Sequence, residues 1–247
     1  MATVLLTRPQ AASEPLAHAL QECGYEGVIE PLLTIIPAPT PMPEIANIQA
    51  LMITSANAIE SLAQGGFDAA QLFDLPCYCV GERTAAKASQ YGFRHVEFST
   101  GDGVDLAQKM ERALSDKSRP ILHIAGQNVD VRGRNELERL GFTVATWEVY
   151  MAMPARELSG HTLRLLQERK IDAVLFFSAR TAETFAKLMR HHMLQTCCER
   201  LIAIGLSEAV TQPLTQLPWR SLVAAPGPSE EAMIASLKES LPVTEAS

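Results

Sequence analysis

The sequence predicts an α/β protein whose parallel β-sheets carry helices on both faces, and two observations lead to this class. Short apolar runs such as Val4–Leu6 and Val174–Phe177 are too short for helices and are typical of buried strands. The segments that follow place apolar residues at helical spacing, as Phe185 and Met189 do. Because strands and helices alternate along the chain, we expect parallel sheets covered on both sides.

Length and composition indicate an ordinary globular protein. The chain has 247 residues, of which 47% are hydrophobic and 20% charged, enough for two domains with their own cores. The net charge of -7 argues against nucleic acid or an anionic membrane as the main partner. Five cysteines, an odd number, argue against a disulfide framework. With no apolar run near the roughly 18 residues of a membrane span and no signal-like start, we expect a cytoplasmic protein. Because no long exposed apolar face is evident in the sequence, we expect a monomer.

The elements form a repeat, because four segments of the first half match four segments of the second half in the same order. The offset between matched segments grows only from about 117 to about 126 residues, so the halves are collinear. The pairs are TVLLTRPQAASEPLAHALQECGYEGVIEPL with PILHIAGQNVDVRGRNELERLGFTVATWEVY, ALMITSANAIESLAQ with AVLFFSARTAETFAKL, CYCVGERTAAKASQYGF with LIAIGLSEAVTQPLTQL, and HVEFSTGDGVDLAQKM with SLVAAPGPSEEAMIASL.

Two stretches interrupt this pattern at equivalent places. Residues 37–43, PAPTPMP, hold four prolines, which favours an extended linker. Residues 151–156, MAMPAR, form a second, weaker break. Simple tandem domains would place the break near residue 118 instead. The sequence therefore predicts linkers at 37–43 and 151–156.

Turns that follow the predicted strands are the expected ligand-binding positions, since open parallel sheets bind ligands beyond the carboxyl ends of their strands. These turns are rich in Ser, Thr, Gly and Asn. Such residues are common helix N-caps, and one interpretation is that capping is their whole role. Exposed N–H groups at helix starts also bind carboxylate or phosphate, and the arginines strengthen that interpretation. The candidate binding residues are Thr7, Arg8, Ser55, Ala56, Asn57, Gly81, Arg83, Thr84, Gly126, Gln127, Asn128, Ser178, Ala179, Arg180, Thr181, Ser207 and Ser229.

Familiar catalytic and cofactor motifs are absent from the sequence. It contains neither the glycine-rich loop of dinucleotide-binding proteins nor that of P-loop NTPases, and no G-x-S-x-G elbow. The stretch 191–198, HHMLQTCC, offers adjacent His and Cys pairs that do not converge easily on one tetrahedral ion, so we expect no metal. Cys77, Cys79 and His123 lie in strands, where core packing is expected.

Tyr150 is the one aromatic residue with a catalytic interpretation. It ends the strand TVATWEVY at the second linker, where it can face the space between the domains. A tyrosine at a strand end commonly has only a packing role. A phenol near a leaving group can instead donate a proton, although an ordinary pKa of about 10 makes it a weak acid.

The ordered set of motifs resembles the uroporphyrinogen-III synthase family. The motifs are LLTRP, ITSANAI, VGERTAAKA, RLGFTVATWEVYMAMP, LFFSARTAETF and PGPSEEAM, and the resemblance covers all but the tail LPVTEAS. It implies two flavodoxin-like α/β domains joined by a two-stranded linker, the second domain inserted in the first, with the active site in the cleft between them. On this basis 1–36 with 157–247 form one domain and 44–150 the other.

The resemblance also implies an activity. Family members are hydro-lyases that cyclise the linear tetrapyrrole hydroxymethylbilane to uroporphyrinogen III, inverting ring D and losing water, with no metal or organic cofactor. Tyr150 matches the family's recurrent catalytic tyrosine, and Ser229 matches a recurrent cleft residue. Substrate contacts come largely from backbone amides of the strand-end turns. A transient contact with the upstream deaminase is left open.

Two other classes stay open at this point. A two-lobed protein that binds or senses a small anion without chemistry would share the linkers and the helix-start sites. A nucleotide-sugar transferase with two Rossmann-like domains would need phosphate loops that the sequence lacks.

Overall fold

The chain forms two compact units. A computed structural model describes residues 1–38, 40–44, 47–67, 69–127 and 130–242. Unit 1 consists of Met1–Thr34 and Met153–Ser247, and unit 2 of Ile35–Ala152. The chain therefore leaves unit 1 after its first strands and returns to it for the second half.

Strands and helices alternate along most of the chain. The strands are β1 (Ala2–Leu6), β2 (Tyr25–Ile29), β3 (Leu33–Pro37), β4 (Ala50–Ile53), β5 (Pro76–Val80), β6 (His95–Ser99), β7 (Ile121–Gly126), β8 (Val144–Pro154), β9 (Ala173–Phe176), β10 (Ile202–Gly205) and β11 (Ser221–Ala224). The α-helices are α1 (Gln10–Glu22), α2 (Ala56–Gln64), α3 (Glu82–Tyr91), α4 (Gly103–Ala113), α5 (Arg132–Arg139), α6 (Gly160–Gln167), α7 (Ala179–His191), α8 (Glu208–Thr211) and α9 (Glu230–Ser240). In the described ranges, no helix is both long and apolar enough to cross a membrane.

Unit 1 is a three-layer sandwich around a parallel five-stranded sheet, in the order β11-β10-β9-β1-β2. Successive side chains of a strand point to opposite faces. Leu5 accordingly belongs to the core cluster that contains Phe185 of α7, whereas Val4 and Leu6 belong to the cluster that contains Leu16 of α1. Burial on both faces explains why these strands are continuous apolar runs.

Unit 2 repeats this arrangement around a six-stranded sheet, in the order β3-β8-β7-β4-β5-β6. The contiguous strands β8-β7-β4-β5-β6 are parallel. One face packs in the cluster that contains Trp147, and the other face in the cluster that contains Met110 of α4. The predicted class, α/β with parallel sheets, is confirmed.

The two sheets have matching spatial orders once the sequence repeat is applied. Replacing each strand of β11-β10-β9-β1-β2 by its repeat partner gives β6-β5-β4-β7-β8, the order found in unit 2. Unit 1 combines a strand–helix–strand segment from the first copy with three strands from the second copy. Unit 2 has the reverse combination, so chain order is permuted between them.

The described part of the Pro-rich segment 37–43, for which a linker was predicted, falls in unit 2, which begins at Ile35. The chain passes from unit 1 to unit 2 within β3, after Thr34. The return strand β8 pairs with β3. Backbone bonds from Ala155 N to the Leu32 carbonyl (3.0 Å) and from Ala38 N to the Val149 carbonyl (2.9 Å) show antiparallel pairing. After β3, Thr40 bonds to β8 through its hydroxyl. These bonds hold the described part of 37–43 within unit 2.

Candidate active site

The topology of unit 2 brings three of the predicted site residues together. The chain runs from β4 outward to β5 and β6, then returns to β7 and β8 on the other side of β4. Such a switch point opens a crevice beyond the carboxyl ends of the two central strands. Ser55 follows β4, Gly126 ends β7, and Tyr150 lies opposite Gly126 on the neighbouring β8.

A β-bulge in β8 determines the direction of the Tyr150 side chain. Ala125 pairs with Glu148 and the next residue, Gly126, pairs with Tyr150, so Val149 is an extra residue in β8. Regular alternation would place Val149 and Tyr150 on opposite faces of the sheet. The bulge places both in the same core cluster as Trp147. Bulges of this kind re-aim side chains and are frequent beside active sites.

Gly126 leaves the space that the Tyr150 ring occupies. A Cβ atom on Gly126 would lie 2.5 Å from Cζ of Tyr150, and closer still to Cε2. Carbon atoms in van der Waals contact are about 3.5–4.0 Å apart. The observed ring position therefore requires glycine at residue 126.

The Tyr150 phenol is buried in a hydrophobic cluster and forms a hydrogen bond with the Ser55 side chain. The residue is only 7% exposed, much more buried than a tyrosine facing open space would be. Burial raises the pKa of Tyr150 above its ordinary value, and a hydrogen bond with the Ser55 side chain opposes that rise. The phenol therefore keeps its proton at neutral pH and is a hydrogen-bond donor to any group that reaches it.

Ser55 serves the helix and the phenol together. As the N-cap of α2, its Oγ accepts a hydrogen bond from the Asn57 amide at 3.2 Å. A hydroxyl that accepts from the backbone can still donate its own hydrogen. The capped helix start thus fixes Ser55, which in turn fixes the polar end of Tyr150.

Beneath this turn lies His123, which sequence analysis treated only as a core residue. It is 1% exposed in β7, with Nε2 3.4 Å from Oγ1 of Thr54, the residue before Ser55. Burial and the positive charge of Arg134 lower the pKa of His123 to about 4. The ring is therefore neutral at physiological pH. The sequence signal was a single histidine in an otherwise apolar strand.

The other predicted residues of unit 2 lie on the same edge. Gln127 donates its backbone N–H to the Tyr150 carbonyl at 3.0 Å. Gly81 precedes α3 with a φ of 77°, a left-handed conformation that favours glycine. Ala56 starts α2, and Arg83 and Thr84 lie in the first turn of α3. Asn128 lies outside the described residues.

In unit 1, Thr7 and Arg8 already have partners within the protein. Thr7 is fully buried, and its hydroxyl donates to the Leu175 carbonyl at 2.7 Å. This bond joins β1 to β9 and occupies the hydroxyl proton that a ligand would need. Arg8 pairs with Glu230 at 2.9 Å and lies 4.3 Å from the centre of the Phe177 ring. Arg8 can meet an anion only by sharing or exchanging the Glu230 carboxylate.

The serines of unit 1 mostly have the capping role that sequence analysis kept as the alternative. Ser178 caps α7 by accepting from the Thr181 amide, and Ser229 caps α9 by accepting from the Ala232 amide. Ser207 precedes α8 without a side-chain cap bond. The last two predicted residues of this unit, Ala179 and Arg180, open α7.

Comparison with known proteins assigns the family. The family model described as "Uroporphyrinogen-III synthase HemD" matches residues 14–235. The chain belongs to the uroporphyrinogen-III synthase family. Two proteins named uroporphyrinogen-III synthase are similar: that of Synechococcus elongatus is 25% identical (90% of this chain, 86% of that protein), and that of Chlorobaculum parvum 24% identical (75% and 78%).

Solved structures of family members share the fold. The Helicobacter pylori uroporphyrinogen-III synthetase superposes with a TM-score of 0.67 at 19% identity, covering 98% of this chain and 100% of that chain. A mutant uroporphyrinogen III synthase of Thermus thermophilus gives 0.53 at 16% identity, covering 98% and 99%. At such identities the likeness establishes the fold alone.

Proposed function

We propose that the protein is a uroporphyrinogen-III synthase, a hydro-lyase that converts hydroxymethylbilane into uroporphyrinogen III with inversion of ring D and loss of water. Membership of the family over residues 14–235 supports this activity. The observation that carries the mechanism is the buried Tyr150 phenol, bonded to Ser55 at the switch point of unit 2.

Tyr150 would act as the proton donor for the departing hydroxyl. The bond between the terminal methylene carbon and its oxygen breaks, the oxygen takes a proton and leaves as water, and an azafulvene cation remains. A neutral phenol is a weak acid, so it supplies a hydrogen bond that strengthens as charge develops on the oxygen. Because burial raises the pKa of Tyr150, the phenol keeps its proton until that moment.

The remaining task is geometric. The bilane cyclises spontaneously to the wrong isomer, so the enzyme must direct ring D to attack through its substituted carbon, by way of a spiro intermediate. Positioning of this kind is a large source of catalytic power without any cofactor. We propose no metal or organic cofactor, with the substrate's own carboxylates helping to stabilise the cation.

Local donors would bind the substrate. It carries eight carboxylates, whereas the protein has a net charge of -7, so long-range attraction does not bring them together. Backbone amides at the starts of α2, α3, α7 and α9 are suited to carboxylates because helix starts carry partial positive charge. Arg83 and Arg180 add charged donors at the starts of α3 and α7, and Arg8 adds one in the turn before α1.

Partners and location complete the proposal. Five free cysteines fit a reducing compartment, and we propose a cytoplasmic location. We propose a monomer that binds neither nucleic acid nor membrane, with a transient contact to the upstream deaminase, whose unstable product it would receive.

Product analysis tests the function. The purified protein is given freshly generated hydroxymethylbilane, the products are oxidised, and the porphyrin isomers are separated by chromatography. We expect mainly isomer III. Isomer I alone, as in buffer, would reject the synthase assignment and favour an anion-binding protein without chemistry.

Replacing one hydroxyl tests the role of Tyr150. Tyr150→Phe should lower kcat about 10²-fold or more, the usual contribution of a positioned acid, with little change in KM or unfolding temperature. Tyr91→Phe is the matched control, since Tyr91 packs against Phe73 and Phe93 at the far end of α3. Equal activity of the two variants would remove Tyr150 from the mechanism.

A further inference from the structure

A second candidate site lies in unit 1 along α7, and it shares Arg180 with the strand-end turns described above. A pocket of about 400 Å³ opens between α7 and the segment 154–156 that follows the crossing in β8, and we call it the α7 pocket. Pro154, Ala155 and Leu188 form its apolar side. All of its lining residues belong to unit 1.

The rim of the α7 pocket is basic although the whole protein is acidic. Arg156, Arg180 and Lys187 line it with His191, and Glu183 is the single acidic lining residue. Fixed positive charge therefore exceeds negative charge here in a chain of net charge -7. Over the ranges that the structure describes, neither Arg156 nor Lys187 forms an ion pair.

Glu157, an acidic residue outside the pocket lining, contacts two histidines. Glu157 follows Arg156 in sequence, but its two carboxylate oxygens lie 3.4 Å from Nε2 of His191 and 3.1 Å from Nε2 of His192. Glu157 thus contacts the end of α7, including His191 of the rim, and in the described ranges it forms no ion pair with Arg156 or Lys187. Among the residues that line the pocket, Glu183 is the carboxylate with which an entering anion would compete.

The structure assigns the α7 pocket as a binding site for an aliphatic carboxylate. Methylene carbons would pack against Ala155 and Leu188, while the carboxylate would bind Arg156 and Lys187. A ligand with an apolar chain and an anionic end matches the apolar side and the basic rim of the pocket. Two sources share this chemistry: a propionate or acetate arm of the tetrapyrrole, or a separate small carboxylate. The first source rests on the proposed function, and the second does not.

The first experiment measures glutarate, a small dicarboxylate, binding to the full chain by titration in ¹H–¹⁵N NMR. We expect saturable shifts confined to 154–156 and α7. Arg156→Ala combined with Lys187→Ala should weaken binding about tenfold, since each exposed ion pair contributes a few-fold. Glu183→Gln should tighten it, because it removes the carboxylate from the pocket lining.

A matched control removes charge without touching the pocket. Arg190→Ala deletes an exposed cation from the same helix, outside the pocket lining, and should leave glutarate affinity within about twofold. Absence of saturable shifts in the wild-type protein would overturn the proposal. So would equal losses in the Arg190 variant and the double variant.

The second experiment separates the two sources. KM and kcat for hydroxymethylbilane are measured for the double variant and for Arg190→Ala. A rise in KM of several-fold at unchanged kcat, confined to the double variant, assigns the pocket to a substrate arm. Unchanged KM with lost glutarate binding assigns it to a separate carboxylate. If the wild-type protein makes only isomer I, the proposed function fails while the glutarate result still decides the pocket.

Discussion

Replacing Gly126 by alanine is the sharpest test of how the site is built. The added Cβ would lie 2.5 Å from Cζ of Tyr150, about 1 Å inside van der Waals contact. The ring has little room to retreat, because it belongs to a buried cluster with Trp147 and Val149. Overpacking of this kind costs about 1–3 kcal/mol of stability, equivalent to a fall in unfolding temperature of roughly 2–12 °C.

The effect on catalysis should exceed the effect on stability. A displacement of about 1 Å at a catalytic group lowers the rate by about 10²-fold. We therefore expect kcat for uroporphyrinogen III to fall about 10²-fold at a temperature well below unfolding, with more isomer I in the product. Steady-state kinetics with isomer analysis, alongside thermal unfolding, measures both quantities.

A second glycine supplies the control. A Cβ on Gly160, at the start of α6, has no heavy atom within 4 Å. Gly160→Ala should keep kcat and isomer ratio within about twofold. If Gly126→Ala is equally active while folded, the ring position of Tyr150 is not what catalysis depends on, and the reasoning is refuted.

Three further predictions concern binding, stability and pH. Arg8→Ala should raise KM more than it lowers kcat, and unchanged KM would show that backbone donors dominate binding. Glu30→Ala should lower the free energy of unfolding by about 3 kcal/mol in urea denaturation. Glu30 is 6% exposed and accepts hydrogen bonds from Ser159 N (2.9 Å), Ser159 Oγ and Thr162 Oγ1. A loss below 1 kcal/mol would contradict this expectation. His123 binds a proton at about pH 6.5 when unfolded but only at about pH 4 when folded, so stability is full above pH 6.5 and falls by about 2 kcal/mol at pH 5. His123→Gln should flatten that part of the stability–pH curve, and an unaltered slope would refute the assignment.

Much of the fold was predictable because the local pattern of apolar residues indicates which segments are buried. Val4–Leu6 and Val174–Phe176 are continuous apolar runs because both faces of their sheet are covered, and they lie in β1 and β9, whereas Phe177 follows β9. The twofold repeat, with its four matched pairs of segments, predicted equivalent strands, and the two sheets have matching orders. The domain organisation was harder to predict, because the Pro-rich composition of 37–43 indicates an extended chain but not the strand to which that chain bonds. Its bonds to β8 are long-range and leave no local trace.

Candidate residues of the site could be named from the sequence, but their arrangement in space could not. The sequence by itself determined that polar turns follow the strands, but the prediction that Tyr150 ends a strand was wrong, because β8 continues to Pro154. Only the tertiary structure decided that Val149 is a bulge residue and that the Tyr150 side chain therefore packs in the core of unit 2. It also decided that the Tyr150 ring packs against Gly126 and that its hydroxyl forms a hydrogen bond with Ser55. The physical reason is that strand register arises from hydrogen bonds between distant segments, and a shift of one residue moves a side chain to the other face of the sheet.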